Sequence, residues 1–451
     1  MTPLEREVLA HATPSAEEER QMHATAGDLV ALLGKELAKE RVPGHASVQG
    51  SVAKGTWLRG SADVDLFLLL DPAVPQERLE QVALAVGPRV LEGCHKRYAQ
   101  HPYVIGSFRG LQVDLVPAYE VATAGAKMSA VDRTPFHTAW VRQHLAGRAG
   151  EVRLAKKWMK GTGAYGAQTA LGGFSGYLVE VLVARFGSFH GVLEWLAADA
   201  TPRRIALGPD LVKDDVAPLV VVDPVDPARN CSAAVHADTL ALAVEAARAY
   251  AEAPSVRFFE PAPPRAETSA KLHAALAARE QCWMGLLLRP RTPRLDIVFP
   301  QFQKAARSVA AALEAAGFPV AKAMATATPA EDAVLLQWLA SAAELPATRV
   351  HQGPADGTAP NVLRFKEKWA ASPDAVGPVR VGAGGRLEVT LGVRHRTAAA
   401  WLAASLPGLP LGKHVQDAMP DARLLDDPAQ APPEWGPVVA DLALGRRPWE
   451  R

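Results

Sequence analysis

The polar and apolar positions near the start of the chain repeat with a helical period. In residues 15–40 leucines and a valine recur at helical spacing, and Ser15 with Glu18 has the spacing of a capping box. An apolar run then extends through Leu70 to an Asp-Pro pair, and a second helical pattern follows from about Pro75 to Glu92. The pattern predicts a helix, a buried strand and a second helix.

Two runs rich in β-branched and aromatic residues come next. YVIGSF and LQVDLVP flank Arg109-Gly110, which is typical of a tight hairpin turn. Helix, strand, helix and antiparallel hairpin in this order predict a small mixed α/β domain at the start of the chain.

Helical patterns dominate the middle of the chain. Residues 137–190 are predicted to be helical, with GFSGYLVEVLVARFG as their most apolar part, and DTLALAVEAARAYAEA forms another helix that Pro254 ends. Between them PLVVVDPVDPARN is predicted to be a buried strand that ends in a Pro-rich loop, and EPAPPRA is predicted to be a linker or turn. In the remaining chain, helices such as QKAARSVAAALEAAGF alternate with strands such as RLEVTLGVR.

Composition places the chain among soluble globular proteins. It has 451 residues, 49% of them hydrophobic and 22% charged, which predicts two to four domains with ample core. The acidic first residues argue against a secretory signal, and no apolar run approaches the roughly 18 residues of a membrane span. Three cysteines lie far apart without metal-ligand spacing, so the expected compartment is a reducing cytoplasm.

The charge is nearly balanced overall but is unevenly distributed. A net charge of +1 is not the footprint of a nucleic-acid binder. Residues 256–310, however, contain nine basic side chains against four acidic ones. The basic side chains are Arg257, Arg265, Lys271, Arg279, Arg289, Arg291, Arg294, Lys304 and Arg307.

The stretch GSVAKGTWLRGSADVD, residues 50–65, combines two chemical signals ahead of the apolar run LFLLL. Strand side chains alternate, so Asp63 and Asp65 project to one face, where their repulsion is relieved by a divalent cation such as Mg²⁺. Upstream, Gly50 allows close backbone approach, and Ser51 can open a helix whose free N–H groups point at an anion. Together these features describe a nucleoside triphosphate bound through a metal.

Three classes of protein use parts of this pattern. A Walker P-loop requires a lysine directly after its second glycine, where this chain has Thr56. Sugar-nucleotide glycosyltransferases use Asp-x-Asp with a metal but need no Gly-Ser loop before it. A nucleotidyltransferase needs a third carboxylate, because two metals bracket the attacking hydroxyl and the α-phosphate. Asp114, in LQVDLVP, supplies that acid on the strand face opposite its apolar neighbours.

The series of motifs resembles the archaeal-type (class I) CCA-adding enzymes, which are tRNA nucleotidyltransferases of the DNA polymerase β superfamily. The opening motif is followed by HPY, VDLVPAY, DRTPFH, YGAQ, GFSGYL and DPVDPARN, and more thinly by LDIVFPQFQK, RFKEKW and VGPVRV. The resemblance implies an α+β fold in three parts. These are a polymerase β-like catalytic head domain (1–150), a helical central domain that completes the nucleotide pocket (151–255), and a mixed α/β C-terminal body and tail that binds tRNA (256–451).

The resemblance also assigns roles to residues. Asp63, Asp65 and Asp114 are implied to be the catalytic carboxylates that hold two Mg²⁺ ions. Arg229 is implied to present hydrogen bonds to the base, a role suited to the fixed donors of a guanidinium. The implied nucleotide-binding residues are Gly50, Ser51, Lys54, Thr134, His137, Lys156, Tyr165 and Arg229.

The implied reaction is the template-independent addition of the 3′-terminal CCA to tRNA from CTP and ATP, with release of pyrophosphate. The acceptor stem and 3′ end would be held through phosphates and 2′-hydroxyls, because an A-form major groove hides its bases. The basic segment 256–310 fits this, as do Arg364, Lys366 and Lys368 and the Arg394-His395-Arg396 run. Dimers are common in the family, so the quaternary state to test is a homodimer.

Two other functions remain open from the sequence. A related terminal adenylyltransferase, such as a poly(A) polymerase or an oligoadenylate synthetase, would have the same catalytic strand but a different nucleotide choice and primer. An RNA-binding protein with an inactive transferase fold is the alternative outside enzymes. The presence of all three aspartates and of the Gly-Ser loop speaks against the inactive form.

Overall fold

The computed structural model describes residues 1–61, 63–98, 102–168, 171–198, 203–213, 216–292, 295–357, 359–382 and 384–451. They form two compact units, Met1–Ala262 with Pro448–Arg451, and Pro263–Arg447. The boundary between the units lies inside EPAPPRA, the segment predicted to be a linker or turn. Among the described residues, no helix has both the length and the apolar character needed to cross a bilayer.

The first unit is built from helices and two sheets. Its helices are α1 (Pro3–Ala12), α2 (Ala16–Glu40), α3 (Gly50–Lys54), α4 (Gln76–Val90), α5 (Thr134–His144), α6 (Ala149–Thr162), α7 (Gly176–Phe186), α8 (Phe189–Ala197) and α9 (Ala237–Glu252). Its strands are β1 (Gly44–Val48), β2 (Val64–Leu70), β3 (Glu92–Tyr98), β4 (Pro102–Phe108), β5 (Leu111–Tyr119), β6 (Arg204–Ile205), β7 (Val220–Asp223) and β8 (Asp226–Asn230).

The larger sheet has the strand order β1-β2-β5-β4-β3, and its central pair, β2 and β5, is parallel. Alternate residues of β2, such as Leu66 and Leu68, are fully buried together with Leu29 and Leu33 of α2 and Val82 of α4. Because strand side chains alternate, the opposite face of β2 carries Asp65. One face of the sheet is therefore covered by helices, and the other carries Asp65 together with Phe67 and Leu69, which are themselves buried.

The predicted elements of this region are confirmed. Ser15 caps α2, its hydroxyl accepting a hydrogen bond from the Glu18 backbone N–H at 3.2 Å while the Glu18 carboxylate accepts one from the Ser15 N–H at 2.7 Å. Strands β4 and β5 are antiparallel around Arg109 and Gly110, both with positive φ, as a tight hairpin turn requires. The α+β fold class is likewise confirmed.

Helices α5–α9 pack around a second core that includes Trp158, Phe174 and Phe189. The prediction that residues 137–190 are all helical is wrong for 163–168 and 171–175, which are not helical and include a bridge between Tyr165 and Phe174. The predicted Pro-rich loop is also wrong, because β7 and β8 pair antiparallel in the sheet β6-β7-β8. Proline at position 227 is tolerated because β8 is an edge strand of that sheet.

The second unit has two sheets. Its helices are α10 (Ser269–Ala278), α11 (Leu295–Ala316), α12 (Ala359–Ala370), α13 (Ala398–Ser405), α14 (Lys413–Ala418) and α15 (Gly436–Leu444). Its strands are β9 (Gln281–Leu288), β10 (Val320–Ala327), β11 (Val334–Ser341), β12 (Thr348–Ala355), β13 (Arg380–Val381), β14 (Arg386–Gly392) and β15 (Arg423–Leu425). The strand orders are β10-β11-β9-β15 and β12-β14-β13, and helix α11 buries Phe302, Val309 and Leu313 in the unit's core.

Candidate active site

The three predicted catalytic aspartates meet in one cavity of the first unit. Asp65 and Asp114 are directly opposite in the parallel register of β2 and β5, and Asp63 comes immediately before β2. The cavity has a volume of about 480 Å³. Its lining consists of Ser51, Ser61, Asp63, Asp65, Asp114, Lys160, Tyr165, Gly166, Gln168 and Leu171.

Burial and mutual repulsion outweigh the attraction of nearby cations at two of these carboxylates, Asp65 and Asp114. Burial and the negative charge of Asp114 raise the pKa of Asp65 to about 6. Burial and the charge of Asp63 likewise raise the pKa of Asp114. Oxygen-only donors that repel one another suit a hard divalent cation such as Mg²⁺. In the described part of the chain no three acidic, histidine or cysteine side chains lie close enough together to hold a metal ion.

The Gly-Ser loop lies directly against the aspartates. Gly50 is the first residue of α3 and has φ +65°, and a Cβ atom at this position would overlap the Asp65 carboxylate. The backbone N–H of Gln49 donates to the Asp65 carbonyl oxygen at 2.8 Å, which joins the loop to β2. Glycine at position 50 is therefore needed both for the backbone conformation and for space.

The two predicted nucleotide-binding lysines, Lys54 and Lys156, both contact a buried acid that the sequence analysis did not identify. Glu180 of α7 accepts hydrogen bonds from Lys54 Nζ at 2.9 Å, Lys156 Nζ at 2.9 Å and the Thr56 hydroxyl at 2.6 Å. Burial alone would raise the pKa of Glu180, but the charges of Lys156 and Lys54 lower it to about 2. Burial also lowers the pKa of Lys156, and the charge of Glu180 opposes that effect. One carboxylate thus keeps two buried ammonium groups in place.

Glu180→Gln should destabilise the folded chain strongly, because it leaves two buried lysines without their counter-charge. Removing one partner of a buried ion pair typically costs about 3–5 kcal/mol of the free energy of unfolding. Urea denaturation followed by circular dichroism measures this change. The matched control is Glu17→Gln, which removes a surface ion pair with Arg20 and should leave the denaturation midpoint unchanged. Equal midpoints for wild type and Glu180→Gln would contradict the prediction.

The remaining predicted site residues lie on α5, in the aspartate cavity and on β8. His137, one turn after Thr134 on α5, stacks on the ring of Tyr177 with centroids 4.0 Å apart, and Lys54 Nζ lies 5.2 Å from the centroid of the same ring. Tyr165 contributes to the aspartate cavity, and burial raises the pKa of its phenol to about 12, so the hydroxyl stays a hydrogen-bond donor. The Arg229 guanidinium is bonded to Asp223, a second buried acid that the sequence analysis did not identify.

Family comparisons agree with this arrangement along nearly the whole chain. A nucleotidyltransferase domain profile matches residues 34–137, the second domain of tRNA nucleotidyltransferases matches 150–260, and the C-terminal domain of CCA-adding enzymes matches 289–426. A CCA-adding enzyme of Halobacterium salinarum is 38% identical over 406 residues, 89% of this chain and 88% of the relative. The chain belongs to the CCA-adding enzyme family. This confirms the family predicted from the motifs.

Other family members have similar coverage. The CCA-adding enzyme of Methanoregula boonei is 37% identical over 82% of this chain and 80% of its own length. The enzyme of Methanothermobacter thermautotrophicus is 33% identical over 90% of both chains.

Two solved structures are similar to somewhat more than half of this chain. Escherichia coli MS115-1 CdnC with ATP has a TM-score of 0.44 and 20% identity, covering 57% of this chain and 93% of that one. A cytoplasmic RNA terminal U-transferase has a TM-score of 0.43 and 16% identity, covering 57% of this chain and 97% of that one. Enzymes with the nucleotidyltransferase fold generally use divalent metal ions.

Proposed function

We propose that this chain adds the 3′-terminal CCA to tRNA from CTP and ATP, by attack of the tRNA 3′-hydroxyl on the α-phosphate with release of pyrophosphate. The observation that carries the proposal is the pairing of Asp65 with Asp114 across parallel strands, beside Asp63 and the Gly50 loop, in a chain that belongs to the CCA-adding enzymes. This is a carboxylate site for metal-assisted nucleotidyl transfer.

The aspartates and the Gly-Ser loop have separate tasks in this proposal. Two Mg²⁺ ions, held by Asp63, Asp65 and Asp114, would supply activation of the 3′-hydroxyl and neutralisation of the triphosphate. Ser51 lines the same cavity and is in place to donate a hydrogen bond to a phosphate oxygen. The absence of a side chain at Gly50 lets the Asp65 carboxylate lie against the loop. Positioning and charge neutralisation account for most of the rate enhancement in such a site.

The incoming nucleotide is bound by the residues around α7. Lys54, Lys156 and Tyr165 bind the β- and γ-phosphates, with Thr134 and His137 contacting the nucleotide from α5. Arg229 contacts the base, since a third of its side chain is exposed and its guanidinium cannot lose its charge. The same pocket serves CTP and ATP in turn.

The second unit binds the tRNA through exposed basic side chains. Arg364, Lys366 and Lys368 of α12 are exposed, and so are Arg289, Lys304 and Arg307 of the basic segment. Other members of that segment are neutralised: Arg265 and Lys271 pair with Glu267, and Arg291 pairs with Asp421. Arg294 lies outside the described residues. Affinity for tRNA should therefore fall as salt rises, with a slope set by the basic side chains that have no acidic partner among the described residues.

We propose a three-domain organisation for the chain. The chain divides into a catalytic domain (1–150), a central domain that completes the nucleotide pocket (151–255) and a tRNA-binding body and tail (256–451). The profile boundaries at 137, 150, 260 and 289 support this division. The proposed compartment is the cytoplasm, where tRNA is matured, and the proposed assembly is a homodimer.

Extension of a tRNA that lacks CCA tests the proposed function. With Mg²⁺ and CTP alone the product should be two nucleotides longer, and with CTP and ATP together it should be three nucleotides longer and then stop. Denaturing gel electrophoresis separates these products. Addition of many adenosines from ATP alone would favour a terminal adenylyltransferase, and binding of tRNA without any extension would favour an inactive RNA-binding protein.

A further inference from the structure

Asp223, the last residue of β7, is a fully buried carboxylate that four donors hold. Its Oδ2 accepts from His137 Nε2 at 2.9 Å and from Arg229 Nη1 at 2.7 Å. Its Oδ1 accepts from the Tyr177 hydroxyl at 2.9 Å and from the Val225 backbone N–H at 3.0 Å. Since a carboxylate has about four acceptor positions, this one is fully used.

These contacts keep Asp223 charged inside the protein. Burial alone would raise the pKa of its carboxyl group, but the hydrogen bonds from His137, the Val225 N–H and Arg229 hold that pKa below its usual range. Burying a carboxylate is costly unless all of its acceptors are satisfied. Such a group keeps its neighbours in one arrangement, because moving any donor away leaves a buried charge under-bonded.

Arg229 is the neighbour whose orientation matters for a ligand. Among the described residues, the Arg229 guanidinium donates one hydrogen bond, to Asp223. A third of the Arg229 side chain remains exposed. The guanidinium is planar, so fixing one Nη restricts where its other N–H groups point. Tyr177 connects this pair to the lysines, because its hydroxyl donates to Asp223 and Lys54 Nζ lies 5.2 Å from its ring centroid.

We propose that Asp223 is a positioning residue for base selection: it holds the Arg229 guanidinium in the orientation in which its free N–H groups meet the acceptors of the incoming base. The inference rests on the proposed function, in which Arg229 contacts the base. Asp223 itself touches no reacting atom, so it should affect which nucleotide is added more than how fast the correct one reacts.

The test replaces Asp223 by asparagine in the full-length chain. Asparagine keeps the volume and an acceptor for Tyr177 and Val225, but it removes the charge facing Arg229. On tRNA lacking CCA, the ratio of kcat/KM for CTP to that for UTP should fall about 10-fold or more, as expected for loss of a hydrogen bond to a charged group. The kcat for saturating CTP should fall less than this ratio does.

Asp226→Asn is the matched control. Asp226 lies in the same hairpin and pairs with Lys127 at 2.8 Å and Arg133 at 2.9 Å, without a contact to Arg229 among the described residues. Its replacement should leave the CTP to UTP ratio unchanged. If Asp226→Asn lowered the ratio as much as Asp223→Asn, general loosening of the hairpin would explain both effects and the inference would be wrong.

A double-mutant cycle shows whether Asp223 acts through Arg229. In an Arg229→Ala background, Asp223→Asn should cause no further loss of discrimination, because the guanidinium it positions is gone. An equal loss in both backgrounds, or wild-type discrimination in Asp223→Asn, would overturn the inference. If Asp223→Asn fails to fold, Tyr177→Phe is the variant to test, because it removes one donor to Asp223 and keeps the aromatic ring. An unchanged ratio of kcat/KM for CTP to that for UTP in Tyr177→Phe would then overturn the inference. Wild-type protein that adds neither nucleotide would instead refute the proposed function.

Discussion

Replacing Asp63, Asp65 or Asp114 by asparagine should abolish CMP addition and AMP addition together. Each change removes one negative charge from the cavity at nearly constant volume, and Asp65 and Asp114 are adjacent in the register of β2 and β5. Loss of one such stabilising group commonly lowers the rate by at least about 10²–10³-fold. Because both nucleotides share one site in this proposal, the two activities should fall in parallel.

Single-turnover extension measures both activities, on tRNA that ends before CCA and on tRNA that ends in CC. Filter binding should show that tRNA affinity persists. Asp71→Asn is the control, since Asp71 is an exposed aspartate just beyond the opposite end of β2, and it should retain wild-type rates. A variant of the three aspartates that loses AMP addition but adds CMP at the wild-type rate would indicate separate catalytic centres.

Gly50→Ala should be nearly as harmful as loss of an aspartate, although it changes no charge. The new methyl group would overlap the Asp65 carboxylate, and position 50 has φ +65°, which alanine adopts only with strain. The carboxylate or the loop must then shift, and a displacement of about 1 Å in such a site costs about 10²-fold in rate. The same extension assays measure the effect.

Gly55→Ala separates the effect of backbone strain from the effect of steric overlap with the Asp65 carboxylate. Gly55 ends helix α3 with φ +66°, but no atom lies within 4 Å of a Cβ built there. The backbone strain is therefore the same, and the steric contact with the carboxylate is missing. We expect Gly55→Ala to lower thermal stability without abolishing extension; equal inactivation by both substitutions would show that backbone strain alone is responsible.

The sequence analysis predicted that Asp63, Asp65 and Asp114 share one site, and they do line one cavity, because this arrangement depends on local patterns. Their catalytic role stays a prediction. Alternation along VDLFLLL puts Asp65 opposite the buried leucines, and the hairpin turn at Arg109-Gly110 brings β5 into the sheet. The direct pairing of Asp65 with Asp114 could not be predicted, since parallel register is set by packing across the whole α4–β4 connection. The roles of the individual nucleotide-binding residues stay predictions until they are tested.

Glu180 and Asp223 could not be found from local patterns. Glu180 is the one acid of the apolar helix α7, where a single charged side chain is typical of an exposed position, and its partner Lys54 is 126 residues away. Asp223 ends a hydrophobic run before a proline, which predicts a loop rather than a hairpin. Only folding brings the lysines, His137 and Arg229 to these two acids.

The pairing of Lys54 with Glu180 also limits how the chain can be recombined. Lys54 belongs to the segment that matches the nucleotidyltransferase domain, whereas Glu180 belongs to the segment that matches the second domain. Arg153 of the second segment likewise donates to the carbonyl oxygens of Trp57 at 3.0 Å and Gly55 at 2.9 Å. A chimera that exchanged the first segment alone would need a lysine that pairs with Glu180. It would also need a loop whose carbonyl oxygens accept hydrogen bonds from Arg153. The two segments are therefore expected to be inherited and engineered as one piece.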